Sequence, residues 1–504
     1  MTNVGTPTEG ASAPEGGAIM FCKAVFLAAL SCSSLSAQVP FDSASRWVDS
    51  MMVSYTMGRS PGCAVGVTQD GALAFAKGYG LADLGDGTPL TPSTRFYVAS
   101  LSKQFTAMSV VLLVEDGKLS LDDTVQKWIP ELPSFGKKIT LRHLLNHTSG
   151  LRDYMTLLAV SGWPSDGELT ERQFLELMHR QKTLNFAPGD EFLYSNTGYA
   201  LLGIVVKRAS GESLRDFAAH RIFQPLGMTN TEFRDDHTKA IPNRAIGYEE
   251  TQNGIVETNP RIDVVGDAGM YTTVEDLAKW EANFSNPKVG GAPGIAMMTE
   301  PGRLNNGQKI PYGFALTLGE MRGMKTIAHS GAFGGFRTEF LRFPEVDIGV
   351  VTLCNTSAVS AALAEQVGTI MLGVMPKQLA VAATPFDVGQ NYAGGAQPTA
   401  VDSGATGRRR NDQLAQMAGN YYSDELDLNV SLVARDGALY LRRPKSVDTR
   451  FGSFSTDLFT SSDKMLLRVV RDRRGTVSGF TLTVNRVRDL EFVRRDADRS
   501  GHTP

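Results

Sequence analysis

The sequence is poor in cysteine, in net charge and in long hydrophobic runs, and each shortage excludes a class of protein. Four cysteines among 504 residues are too few for a small fold held together by disulfides. The 50 basic residues nearly balance the 53 acidic ones, which argues against a dedicated nucleic-acid partner. No uninterrupted apolar stretch is long enough to span a bilayer, so we expect no transmembrane anchor. The hydrophobic fraction of 42% is that of an ordinary globular protein.

The sequence also lacks the motifs of metal and cofactor sites. It contains no H-E-x-x-H, no paired C-x-x-C and no Walker A sequence, so we expect no metal and no cofactor. The stretch Gly58–Gly62 matches the nucleophile elbow G-x-S-x-G, which must lie between a strand and a helix. Here the motif precedes a strand pattern, and Pro61 follows the serine directly. We interpret it as a chance match.

The N-terminal segment 1–37 is expected to lie outside the folded part of the protein. Residues 1–19 are small, polar and aperiodic, which is typical of a disordered extension. The apolar run Ala24–Leu30 and the small residues after it resemble a secretory signal peptide, with Met20 as the expected start. The segment therefore predicts an exported protein, periplasmic or secreted. A lipid anchor at Cys32 is the alternative that these residues leave open.

Removal of the leader would leave two cysteines, Cys63 and Cys354, each in an apolar, strand-like run. In an export compartment the two could form a disulfide. Two buried free thiols are the interpretation that the residues alone favour.

The rest of the chain divides into two folded parts. Residues 41–375 have strand patterns near both ends and mostly helical patterns between them. They predict an α+β domain, in which an antiparallel sheet joins its first and last strands, flanked by helices and a largely helical subdomain. A linker rich in alanine, glycine and proline follows over 376–412. Short strands at regular spacing over 413–495 predict a small all-β, barrel-like domain, and 496–504 form a tail.

Ser-x-x-Lys occurs four times, and one occurrence has the context of a nucleophile. Ser100 opens a long amphipathic helical pattern, whereas the other three pairs lie in loops or turns: Ser134/Lys137, Ser285/Lys288 and Ser461/Lys464. Residues three apart share a helix face, so Lys103 can reach the Ser100 hydroxyl. The positive partial charge at a helix N-terminus would stabilise a developing alkoxide. The pair predicts a nucleophile with its base, although a serine N-cap before an exposed lysine has the same sequence.

Two further motifs occur once each. Tyr194-Ser195-Asn196 follows a turn and precedes an apolar helical pattern, and His329-Ser330-Gly331 ends a strand pattern and enters a glycine-rich stretch. In this order the three motifs resemble those of the serine β-lactamase and penicillin-binding-protein superfamily. The resemblance is to its class C β-lactamase branch, which includes D,D-carboxypeptidases, D-aminopeptidases and related esterases.

This resemblance covers about residues 41–375, and residues 413–495 resemble the lipocalin-like β domain of some members. It implies a β-lactamase/transpeptidase-like fold and hydrolysis of an amide or ester bond in a small-molecule or short-peptide substrate. Ser100 would form an acyl-enzyme, and Lys103 and Tyr194 would share the proton transfer. Asn196 would hydrogen-bond the substrate amide or the lysine.

The third motif would border the substrate through His329, Ser330 and Gly331, and the amide of Ala332 would form the oxyanion hole together with that of the nucleophile. Penicillin-recognising members usually carry lysine where this chain has histidine. A histidine with the ordinary pKa of about 6.5 is mostly neutral at pH 7, so it holds a substrate carboxylate less well unless Arg337 supplies the charge. This favours a peptidase, amidase or esterase over a β-lactamase or D,D-carboxypeptidase proper.

A protein of another class stays open as an alternative. A small barrel can hold a ligand, so a non-enzymatic binder of peptides or cell-wall fragments could use the same scaffold. The intact set of serine, lysine, tyrosine and asparagine argues against that alternative. The residues do not predict an oligomeric state.

Overall fold

The structure is a computed structural model that describes residues 41–164, 167–359, 362–373, 407–444 and 446–495. The predicted leader 1–37, residues 376–406 of the predicted linker and the tail 496–504 lie outside these residues. Residues 407–412, which the composition assigned to the linker, belong to a helix.

Helices, several of them a single turn long, make up much of the first part of the chain, and one more begins the second part. In chain order they are α1 Phe41–Met52, α2 Ser102–Glu115, α3 Val125–Trp128, α4 Leu141–Leu145, α5 Tyr154–Ser161, α6 Glu171–His179, α7 Asn196–Ser210, α8 Leu214–Ala218, α9 Gln224–Leu226, α10 Val274–Ser285, α11 Gly291–Thr299, α12 Leu363–Met371 and α13 Gly407–Met417. In the part of the chain that the structure describes, none of them is long and apolar enough to cross a membrane.

Strands occur near both ends of the first part and throughout the second, and five short strands, β3 to β7, interrupt the mostly helical middle of the first part. They are β1 Cys63–Gln69, β2 Ala72–Tyr79, β3 Phe96–Tyr97, β4 Glu232–Phe233, β5 Gly247–Thr251, β6 Gly254–Thr258, β7 Met270–Thr272, β8 Thr317–Met321, β9 Met324–Phe333, β10 Phe336–Phe343, β11 Ile348–Cys354, β12 Gly419–Ser423, β13 Leu428–Arg435, β14 Ala438–Arg442, β15 Thr449–Ser453, β16 Leu458–Ser461, β17 Leu466–Arg471, β18 Val477–Val484 and β19 Val487–Arg495.

A six-stranded antiparallel sheet in the order β2-β1-β11-β10-β9-β8 forms the centre of the α+β part. The early strand β1 pairs with β11, so the predicted joining of the first and last strands is confirmed. β11 is buried along its whole length, which explains its continuous apolar sequence.

The pairing of β1 with β11 also shows that the preferred prediction of two free thiols was wrong. Cys63 lies directly opposite Cys354, and the two form a disulfide across the strands. The cysteines are 291 positions apart in sequence. Their meeting depends on long-range strand pairing, which neither local run indicates.

Helix α2 is buried on all sides, so its predicted amphipathic character was wrong. Every residue from Ser102 to Leu113 is buried. The polar side chains that suggested an exposed face find partners inside the protein: the Thr106 hydroxyl donates to Gly266 O at 2.7 Å, and Gln104 Oε1 accepts from the Trp280 indole at 2.9 Å. Satisfied hydrogen bonds make such burial tolerable.

The strands β12–β19 form a closed barrel of eight strands, which confirms the predicted barrel-like domain. Its interior is filled by apolar side chains, among which Phe480 stacks on Phe492 with 4.6 Å between ring centroids. Tyr421 packs against Phe480 edge to face. A barrel of this size has an interior that its own side chains can fill.

A buried ion pair joins the barrel to the α+β part. The side chains of Arg152, just before α5, and Glu425 of the barrel are only 1% and 4% exposed. Arg152 also donates to the backbone oxygens of Arg488 and Asp489 on β19. These bonds hold one rim of the barrel against the residues that precede α5.

Candidate active site

Ser100 lies in a 3₁₀ turn, Ala99–Leu101, immediately before α2 rather than inside the helix. Ala99 has φ 46°, which is uncommon for a residue with a side chain and marks a constrained turn. The Ser102 hydroxyl donates to Ala99 O at 2.6 Å and accepts from the Met270 amide at 3.2 Å. The turn is thus tied to strand β7, which fixes the direction of the Ser100 side chain.

Lys103 is fully buried, and its amine contacts three oxygens. Nζ lies 3.1 Å from Ser100 Oγ, 2.9 Å from Asn196 Oδ1 and 2.7 Å from Asp267 O. A protonated amine can donate to all three oxygens. A neutral amine can accept the Ser100 proton and donate to the other two, so the geometry serves both ends of a proton transfer.

Tyr194 and Asn196 lie at the start of α7 and face Lys103. The Tyr194 ring centroid is 5.0 Å from Lys103 Nζ. Its hydroxyl is buried and has no hydrogen-bond partner among the described residues. The Asn196 amide nitrogen of the backbone donates to Asp153 Oδ2 at 2.7 Å, which anchors the first turn of α7. The structure therefore brings together Ser100, Lys103, Tyr194 and Asn196.

His329 belongs to a chain of buried hydrogen bonds behind the tyrosine. The Ser195 amide donates to His147 Nδ1, so His147 carries its proton on Nε2 and donates it to the Tyr312 hydroxyl at 3.1 Å. Tyr312 then donates to His329 Nε2 at 3.0 Å, and His329 Nδ1 donates to Ser330 O at 2.8 Å. Both imidazoles are neutral in this arrangement.

Burial and the nearby Lys103 lower the pKa of His329 to about 3, and burial lowers the pKa of His147 well below its usual value. His329 is 1% exposed, and both of its ring nitrogens are used within the protein. The expectation that its side chain binds substrate stays a prediction. Tyr312 and Ser330 O are the groups that occupy the two ring nitrogens.

Ser330, Gly331 and Ala332 lie on β9, beside the turn that carries Ser100. A Cβ added at Gly331 would lie 2.3 Å from Val98 O and 3.1 Å from the Ser100 amide nitrogen, so only glycine fits. Ala332, the next residue, is exposed at the mouth of the site. The close approach of the two backbones places the Ala332 segment next to the nucleophile. The predicted oxyanion role of the Ser100 and Ala332 amides stays a prediction.

Five residues at the site were not predicted: His147, Asp153, Asp267, Tyr312 and Arg486. Burial raises the pKa of Asp267 to about 6, and its Oδ2 accepts from the Tyr154 hydroxyl at 3.0 Å. Asp153 caps α5, a role that a sequence can indicate. Arg486 comes from a turn of the barrel, and its guanidinium carbon lies 4.6 Å from the Tyr194 ring centroid.

Of the other candidates from the sequence, Ser60 lies apart from this cluster and Arg337 lies beside it. Ser60 of the elbow-like motif donates to Tyr55 O at 3.1 Å, ahead of β1. Arg337 lies on β10 directly opposite Ala332 of β9, and its guanidinium donates to the neighbouring Phe336 O at 2.8 Å. Within the described ranges, no group of three or more histidine, cysteine, aspartate or glutamate side chains is placed to hold a metal ion.

Comparisons with known proteins identify the family of this chain. The family described as Beta-lactamase matches residues 45–368. The chain is 27% identical to a D-aminopeptidase of Brucella anthropi over 434 residues, which cover 76% of this chain and 82% of that protein.

Two solved structures share the fold. One is an octameric penicillin-binding protein homologue from Pyrococcus abyssi, with TM-score 0.59 and 24% identity over 89% of this chain and 100% of that chain. The other is EstCE1, a hydrolase with promiscuous acyltransferase activity, with TM-score 0.55 and 25% identity over 66% of this chain and 98% of that chain. Since the family match spans more than half of the chain and includes the three motifs, the protein belongs to the Beta-lactamase family and is a serine hydrolase.

Proposed function

We propose that this hydrolase cleaves amide bonds in small molecules or short peptides, and the corresponding esters, through an acyl-enzyme on Ser100. The observation that carries the proposal is the 3.1 Å contact between Lys103 Nζ and Ser100 Oγ in a buried site. A hydroxyl next to a buried amine is a nucleophile next to its base. The similarity to a D-aminopeptidase supports amide bonds as the target.

In acylation, Ser100 Oγ attacks the substrate carbonyl carbon while its proton passes to Lys103 Nζ. The carbonyl oxygen gains the negative charge and would accept from the Ser100 and Ala332 amides, each donor being worth about 3–4 kcal/mol. The proton then reaches the leaving nitrogen, the C–N bond breaks, and an ester on Ser100 remains. Tyr194 is suited to deliver this proton because its buried hydroxyl has no partner in the described part of the protein.

In deacylation, a water takes the place of the departed amine and attacks the ester carbon. The Tyr194 oxygen can accept the water proton as it passes its own proton to Lys103, whose Nζ lies 5.0 Å from the centroid of the tyrosine ring. The C–O bond to Ser100 breaks, and the proton returns to Oγ. A base that orients water in this way contributes a factor of roughly 10²–10⁴.

We also propose that the protein is exported. The leader-like segment supports this, and so does the disulfide between Cys63 and Cys354, because disulfides persist in oxidising compartments. Expression of the complete chain in a bacterial host, followed by cell fractionation and N-terminal sequencing, tests the proposal. We expect a protein that begins near residue 38 outside the cytoplasm. Uncleaved chain confined to the cytoplasm would contradict it.

Intact-mass spectrometry after exposure to a fluorophosphonate tests the nucleophile. We expect one adduct on the wild type and none on Ser100→Ala. Ser134→Ala, which alters another Ser-x-x-Lys sequence in a loop, is the matched control and should still be labelled. An adduct on Ser100→Ala would assign the chemistry to another residue. No adduct on the wild type would favour the non-enzymatic binder instead.

A further inference from the structure

The barrel places an arginine against the catalytic tyrosine. Arg486 is in the two-residue turn that joins β18 to β19, where Val484 pairs with Val487. Its neighbour Asn485 has φ 47°, the positive value that tight hairpin turns require. The guanidinium carbon lies 4.6 Å from the Tyr194 ring centroid, and the side chain is 17% exposed.

The turn is held by the α+β part on both sides of Arg486. The backbone oxygen of Arg486 accepts from Asn185 Nδ2 at 2.9 Å and from the Asp153 amide at 3.4 Å. Two residues further on, the Arg488 amide donates to Asn185 Oδ1 at 2.8 Å. The buried Arg152 also donates to the backbone oxygen of Arg488. These bonds fix the position of Arg486 in the site.

The groups that face the guanidinium leave its hydrogen-bonding capacity unused. Asp153 Oδ2, at the start of α5, forms an ion pair with Nη1 at 3.9 Å, which is too long for a hydrogen bond, and that oxygen already accepts from the Asn196 amide. The other carboxylate oxygen accepts from the amide and hydroxyl of Thr156. His147 is neutral. Among the described residues, no side-chain nitrogen of Arg486 makes a hydrogen bond.

A guanidinium with unspent donors beside the reacting tyrosine suits a planar anion. Its fork of N–H groups matches a carboxylate, which it can bind through two parallel hydrogen bonds. His329 cannot take this part, because it is neutral and its nitrogens are occupied. Lys103 is committed to the three oxygens around the nucleophile.

We propose that Arg486 is a specificity-determining residue that binds a free carboxylate of the substrate, so that the preferred substrates are peptides or N-acyl amino acids with a carboxylate close to the scissile amide. The inference rests on the proposed function and adds the substrate class. It also assigns a function to the barrel, which completes the substrate site from its rim and not from its filled interior. Substrates that offer only a free amine would gain nothing from this contact.

The first test measures binding in the Ser100→Ala background, so that no turnover is needed. The probes are N-acetyl-alanyl-alanine, in its D,D and L,L forms, and the same dipeptides with a C-terminal amide. We expect calorimetry to show at least one free acid binding about 10- to 100-fold more tightly than its amide. Arg486→Gln should remove that difference. Arg468→Gln, at an exposed arginine of β17, is the matched control and should keep it.

Arg486→Lys sharpens the test because it keeps the charge and loses the fork. It should retain part of the preference for the acid. Acids that bind no better than their amides, acids that do not bind, or a preference that survives Arg486→Gln would each overturn the proposal.

The second test measures turnover in the otherwise unchanged protein. We expect Arg486→Gln to lower the ratio of kcat/KM for the acid over the amide about 10- to 100-fold, through the KM of the acid. An equal fall for both substrates, together with slower fluorophosphonate labelling, would place Arg486 in the chemistry at Tyr194 and overturn the proposal. Absence of labelling in the wild type would count against the proposed function alone, and the binding test would still decide the role of Arg486.

Discussion

The active-site region buries Lys103, His147, Asp267 and His329, whereas the barrel interior consists of aromatic and aliphatic side chains such as Phe480. Burying a polar group costs free energy unless it is hydrogen-bonded, so the first region depends on its hydrogen-bond partners. The barrel interior is mostly apolar and gains its stability from packing. Changes to hydrogen bonds should therefore affect the active-site region most. The barrel should affect catalysis through the turn that places Arg486 beside Tyr194.

The largest effect on the polar region should come from Lys103→Met. Methionine fills a similar volume but removes the base, so we expect the rate of hydrolysis to fall by roughly 10²–10⁴. Fluorophosphonate labelling should slow as well, because the hydroxyl is no longer activated. Lys137→Met, at an exposed lysine of another Ser-x-x-Lys sequence, is the control. A rate near that of the wild type would remove Lys103 from the mechanism.

The contact between the two regions gives the next largest effect, on stability. Arg152→Met leaves Glu425 buried without its cation, and we expect the free energy of unfolding to fall by about 3–5 kcal/mol. Arg152→Met with Glu425→Leu should recover much of that loss, because no charge is left unpaired. Chemical denaturation measures both.

Lys182→Met provides a matched control for the interface. Lys182 and Asp424 form an ion pair between the same two regions, but their side chains are 52% and 60% exposed. Its removal should cost less than about 1 kcal/mol. Similar losses for Arg152→Met and Lys182→Met would show that burial of the first pair has no special importance.

The disulfide joins β1 to β11 in the sheet of the α+β part and does not involve the barrel. Replacing both cysteines, Cys63→Ala with Cys354→Ala, should lower the free energy of unfolding by about 2–4 kcal/mol. Intact mass with and without reductant checks the bond itself. An unchanged mass on reduction of the unfolded protein would mean that the two thiols are free.

Much of the fold follows from local sequence. The Asp70-Gly71 turn between two apolar runs indicates the first hairpin, β1–β2, and the alternating residues of 427–434 indicate β13. The sequence does not indicate the strands β12, β15 and β16, because they are only four or five residues long and include polar residues. Two of them, β12 and β15, also contain glycine. Closure of the barrel, in which β12 pairs with β19, is a long-range property that no segment reveals.

The candidate site divides in the same way. Ser100, Lys103, Tyr194 and Asn196 belong to short motifs and could be found. Tyr312 belongs to no motif and lies before β8, which begins at Thr317, so its hydrogen bond with His147 has no local signal in the sequence. Arg486 gives no local signal, because a turn of the barrel reaches Tyr194 only through contacts between segments that are far apart in the sequence.

The smallest effect concerns the buried histidines and depends on pH. The pKa of His329 is about 3 in the folded protein and about 6.5 in an unfolded chain. Between these values the unfolded state binds the proton and the folded state does not, so acidification below pH 6.5 destabilises the protein by about 1.4 kcal/mol per pH unit for this residue. Above pH 6.5 the residue makes no contribution to the pH dependence.

His329→Gln tests this origin, since glutamine can still accept from Tyr312 and does not titrate. We expect its free energy of unfolding, measured by urea denaturation at pH 7 and pH 5, to fall less on acidification than that of the wild type. His179→Gln changes an exposed histidine and should keep the wild-type pH dependence. If His329→Gln has the wild-type slope, the imidazole takes up a proton in the folded state, and the neutral chain from His147 through Tyr312 to His329 does not hold the site together.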